Sequence, residues 1–114
     1  MVMLLMAGML VMEAGGQAPI RVKVVNAEGH RIERAYASPT DVPTWGEDLL
    51  KGHVIKRGDA VILQLKDGCG RYDLRFVAAD GVEYMDEDVP FCENDDIVTL
   101  HKGALKKSRP QPRE

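Results

Sequence analysis

From Ile20 onward the sequence breaks into short runs of alternating apolar and polar residues, each closed by Gly, Asp, Asn or Pro. Period-two alternation places successive side chains on opposite faces of a strand, and turn residues at short intervals leave no room for a long helix. Ile20 to Asn26 sets Ile20, Val22 and Val24 against Arg21 and Lys23. After a turn at Ala27 to His30, where Gly29 is free to take positive φ, Arg31 to Ser38 resumes as a strand with Ile32, Arg34, Tyr36 and Ser38 on one side. The two are expected to form a hairpin or meander. Pro39 to Pro43 interrupts, and Thr44 to Leu50 reads as a loop or single helical turn, Thr44 capping it and Glu47 in capping-box spacing. Val54 to Lys56 suggests a brief strand. Ala60 to Leu65, Arg71 to Ala78, Val82 to Val89 and Ile97 to Leu100 follow, with Asp80-Gly81 as a hairpin signal. The pattern predicts an all-β fold: a small antiparallel β-sandwich, immunoglobulin-like or related, of six to seven strands.

Two cysteines, Cys69 and Cys92, allow one intramolecular pairing. They lie 23 positions apart, which excludes a Cys-x-x-Cys redox site, and too few further ligands accompany them for a zinc site. A disulfide at the strand ends is expected, and with it an oxidising compartment. Met1 to Met12 is uninterrupted apolar or Gly, too short to span a bilayer and suited to the core of a secretory signal, with small residues at Ala14, Gly15, Gly16 and Ala18. No Lys or Arg precedes it. The expected organisation is a signal peptide or hydrophobic segment over 1–18, a β-sandwich over 19–102 and a disordered basic tail over 103–114. After signal cleavage no stable membrane span is expected, and the location is periplasmic or secreted. With 114 residues there is room for one domain. A net charge of −3 favours no polyanionic partner overall, although acid gathers from Asp80 to Asp96 and base from His101 to Arg113. The tail Lys106-Lys107-Ser108-Arg109 has no interleaved aromatics, so nucleic acid is not expected as a partner.

The order of features is more specific than composition. Tyr36-Ala37-Ser38-Pro39 precedes Trp45-Gly46-Glu47-Asp48-Leu49-Leu50; later come Cys69-x-x-Tyr72-Asp73-Leu74-Arg75, Asp80-Gly81 and Val89-Pro90-Phe91-Cys92. Over roughly Ile20 to Leu100 this resembles a group of small, uncharacterised secreted bacterial β-domain proteins with a signal sequence. The resemblance implies a periplasmic or secreted β-domain and brings no activity with it.

Trp45, the single tryptophan, stands beside the acidic pair Glu47 and Asp48. It either anchors a partner, such as a protein surface or a sugar ring, or plugs one end of the sandwich with Leu49 and Leu50, and the plug is the preferred reading. Asp86, Asp88, Glu93, Asp95 and Asp96 form the metal candidate, since calcium takes several loop oxygens. A solvated edge that blocks strand aggregation accounts for the same charge. His30, His53 and His101 lack ligand spacing, and Ser38 and Ser108 lack a nucleophile context. Asp73, between Arg71 and Arg75, is expected to ion-pair on its own face. The resulting expectation is a monomeric, non-enzymatic envelope module that binds an unknown protein or glycan without a cofactor. The alternative is a calcium- or metal-binding module using the acidic loops near Asp86 to Asp96.

Overall fold

The computed structural model describes residues 18–27, 30–92, 96–101 and 104–108. These form seven strands and, among the described residues, no helix: β1 Ile20–Asn26, β2 Ile32–Pro39, β3 Ala60–Leu65, β4 Gly70–Ala78, β5 Glu83–Phe91, β6 Ile97–His101 and β7 Ala104–Ser108. They make a four-stranded sheet in the order β3-β1-β6-β7 and a three-stranded sheet in the order β2-β4-β5. The all-β reading holds. Each strand buries its apolar alternates: Ile20, Val22 and Val24 from β1, Tyr72, Leu74 and Phe76 from β4, Val98 and Leu100 from β6. Each such side chain contributes about 1.5–3 kcal/mol by leaving water, set against the entropy of ordering it.

Several expectations are corrected. β1 and β2 do not form a hairpin, because the chain crosses between sheets after Asn26. β1 pairs antiparallel with β3 and parallel with β6, so the larger sheet is mixed rather than antiparallel throughout. A register shift between Ile32 and Arg34 turns the strand over: Ile32 and then Ala35 are buried, while Arg34 is exposed and Tyr36 half-buried, so that neither shares a side with Ile32. Ser38 is buried with its hydroxyl on the Thr44 carbonyl. Val54 to Lys56 makes a single bridge, Ile55 to Ile32, rather than a strand. The tail expected to be disordered from 103 instead supplies β7, paired with β6 through Ser108. In that strand Lys107 is turned inward, where it lies 3.7 Å from the buried Asp96 carboxylate and 5.6 Å from the centre of the Phe91 ring. The signal-peptide reading and the end of the tail lie outside the described residues.

The Cys69–Cys92 disulfide is formed. It ties the residue before β4 to the residue after β5, next to the paired Gly70 and Phe91, and so closes the open end of that hairpin. The bond fits an oxidising, extracytoplasmic environment. Among the described residues no helix is long and apolar enough to cross a membrane.

Candidate functional site

The free edge of β2 is covered by the segment that follows it. Leu49 donates its N–H to the Ala35 carbonyl at 2.7 Å, and the Asp48 carboxylate accepts from the N–H groups of Ala35 and Leu50, each at 3.0 Å. Asp48, a sequence candidate for partner binding, is therefore a structural cap that substitutes for a neighbouring strand. The expected Thr44 helix cap is absent; the Thr44 carbonyl instead accepts from the Ser38 hydroxyl at 2.8 Å. Anchored at both ends, the segment holds Trp45 half-buried beside Tyr36, ring centres 6.3 Å apart. The core plug comes from Leu50, which is buried, with Leu49 packed against the core, and not from Trp45.

Trp45 and Glu47 form one wall of a cleft of about 250 Å³ at this end of the sandwich. Pro39, Lys66, Asp67 and Tyr72 are among its other lining residues. Lys66 meets Glu47 at 3.5 Å, which fastens the β3–β4 turn to the Trp45 loop. An adjoining hollow of about 430 Å³ shares Pro39, Asp67 and Tyr72 and continues to Asp41, Cys69, Arg71 and Asp88. Of these, the sequence names Trp45 and Glu47 as partner-binding candidates, Cys69 for the disulfide and Asp88 as a metal candidate. Pro39, Lys66 and Asp67 carry no binding signal in the sequence, and only the fold brings them to one end of the sandwich.

The acidic candidates divide. Asp86 and Asp88 are exposed on β5, Asp96 is fully buried beside Lys107, and Glu93 and Asp95 lie outside the described residues. Among the described residues no group of three or more His, Cys, Asp or Glu side chains comes together to hold a metal. Asp88 is engaged within the β4–β5 hairpin instead, its N–H by Asp73 and its carboxylate by Arg71. Glu87 and Asp88 lie opposite Asp73 in a bulge, with Asp88 at φ 59°. The Asp88 N–H donates to Asp73 Oδ1 at 2.9 Å, and the Thr40 hydroxyl donates to the same oxygen at 3.0 Å. Arg71 Nε donates to the Asp88 carboxylate at 2.6 Å. The expected pairing of Asp73 with its flanking arginines is thus overturned: Arg71 goes to Asp88, and Arg75 goes to Glu83 at 2.9 Å while lying over the Tyr36 ring. The Arg75 hydrogen bonds hold the Glu83 carboxyl below its ordinary range. Of the histidines, His30 lies 3.4 Å from Asp80 at an exposed turn, and His53 and His101 are exposed on other segments.

Tyr72 links the cleft to the fold. Its hydroxyl donates to the Gly68 carbonyl at 2.6 Å. Burial, and secondarily the Asp67 carboxylate, push its phenol above the usual range. The folded state holds that proton more tightly than the unfolded chain does. Its stabilising effect is complete below the unfolded pKa of about 10 and is lost as pH rises beyond it. Stability is expected to fall above about pH 10, more steeply than in Tyr72→Phe, as followed by thermal midpoints across that range. Parallel curves for the two proteins would remove Tyr72 as the cause.

No protein-family model matches the chain, and no curated protein matches it in sequence. Among solved structures, the NMR structure of a protein from Eubacterium rectale aligns over 89% of this chain and 97% of that one, with a TM-score of 0.59 and 10% sequence identity. At that identity the likeness shows the fold alone.

Proposed function

We propose that this chain is a non-enzymatic module, exported to the periplasm or the exterior, that recognises a protein or glycan through the cleft walled by Trp45. The observation that supports this reading is the half-buried Trp45 ring, held beside Tyr36 and lining a cleft of about 250 Å³. An aromatic face with polar groups at its rim suits a sugar ring or an apolar peptide side chain. Among the charges at the cleft Lys66 lies 3.5 Å from Glu47, and in the adjoining hollow Arg71 pairs with Asp88. The apolar run from Met1 to Met12 and the disulfide support export.

Trp45 is the only tryptophan, so its fluorescence reports on this cleft alone. Titration with glycan and peptide panels is expected to find a ligand that shifts its emission. Trp45→Ala is expected to weaken that ligand by about 2 kcal/mol, roughly thirtyfold, with a nearly unchanged thermal midpoint. A ligand that binds the variant equally well would place recognition elsewhere.

A further inference from the structure

Charge is sorted between the two sheets. The strands of the four-stranded sheet carry Arg21, Lys23, Lys106 and Lys107 and no Asp or Glu. The strands of the three-stranded sheet carry six acids, Glu33, Asp73, Glu83, Asp86, Glu87 and Asp88, against three arginines. With Lys107 turned inward to Asp96, the outward cations of these strands are Arg21, Lys23 and Lys106, so a chain with a net charge of −3 presents a sheet face whose strands carry cations and no carboxylate. On that face Lys23 stands in register between Ile62 and Ile97, and Thr99 lies between Val25 and Lys106. Ile62 is 57% exposed, the most exposed large apolar side chain among the described residues.

We propose that this outer face is a docking surface for an anionic lipid bilayer. Three features favour a bilayer over other anionic partners. The face is a sheet surface four strands wide, which meets a planar target. It combines cations with the outward Ile62, so that headgroup charge and the apolar boundary beneath it are both matched. Its strands carry no Phe, Tyr or Trp, so the platform on which bases or sugar rings stack is missing. Thr99 and Gln64 add hydrogen-bonding groups between the cations. The surface is separate from the Trp45 cleft, and its test does not depend on that site.

The full-length chain is mixed with vesicles of pure phosphatidylcholine and with vesicles containing phosphatidylglycerol, and bound protein is measured by co-sedimentation. The preference for anionic over neutral vesicles is the readout, because the apolar N-terminal run would bind both. That preference is expected to fall steeply with salt, as charge screening requires. Each lysine near the surface is worth about a fivefold change in partitioning, so Lys23→Glu with Lys106→Glu should lower the preference by about thirtyfold or more. Glu87→Lys, on the opposite sheet, should not lower it. A thermal midpoint for each variant confirms folding. An unchanged preference in the double variant overturns the proposal. So does tighter binding to a sulfated polysaccharide or single-stranded DNA than to the vesicles. Salt-sensitive self-association without vesicle binding, restored to the double variant by Glu87→Lys, would assign the face to a second copy instead.

Discussion

Replacing Cys69 and Cys92 by alanine, or reducing their bond, is expected to lower the stability of the domain by about 3 kcal/mol. The bond closes a loop with a sequence separation of 23, and on the chain-entropy account its main effect is to limit the unfolded ensemble. A domain of this size has a total stability of about 5–15 kcal/mol, so the loss takes a large share of it. The thermal midpoint should fall by ten degrees or more, at about 4–8 °C per kcal/mol. Urea unfolding with and without reductant measures it directly. The two cysteines lie just beyond the last ladder pair, Gly70 with Phe91, so the native hairpin does not need the bond for its own register. Reduction should accordingly weaken the fold without altering strand pairing. A loss below about 1 kcal/mol would mean that the β4–β5 hairpin is already closed in the unfolded chain.

Asn26→Asp is expected to cost about 3 kcal/mol or more at neutral pH. Asn26 is fully buried where the chain leaves β1, and its amide nitrogen donates to the carbonyls of His30 at 2.8 Å and Ile55 at 2.9 Å. Its own N–H donates to Asp59 and its carbonyl accepts from Gly58. One residue thus gathers the turn at His30, the Ile55 bridge and the Gly58-Asp59 turn at the end of β1. A carboxylate there would face two carbonyl oxygens with no proton to offer. Acid should return part of the loss, because a protonated carboxyl donates one hydrogen bond. Asn26→Ala should cost less, since it leaves the acceptors unsatisfied without burying a charge. Denaturant unfolding at two pH values separates these effects; equal stability of the Asp variant and the parent would show that water satisfies the site.

Much of the architecture was legible because strand signals are local. Alternation in Ile20 to Asn26 and in Arg71 to Ala78 identified both the strands and their buried faces, and two cysteines left one pairing. The second strand was misread at one point. The shift between Ile32 and Arg34 inverts the remaining residues, and whether an extra residue is accommodated depends on the partner strand, here β4. β7 was missed because Lys106-Lys107-Ser108 is polar in isolation. Lys107 turns inward only because Asp96 and Phe91 receive it. Asp48 reads in sequence as a contact residue beside Trp45, yet its role is to accept the Ala35 N–H of an edge strand 13 residues earlier.

By itself, then, the sequence determined an all-β chain with one disulfide, because period-two burial, turn residues and cysteine number act over a few neighbouring positions. Only the tertiary structure decided which strands lie side by side, and hence the mixed sheet, the cleft at Trp45 and the sorting of charge between the two faces. Those features join residues far apart in the chain, such as Trp45 with Tyr72 or Lys23 with Ile62 and Ile97, and their proximity follows from how the strands pair and the sheets pack rather than from any local pattern.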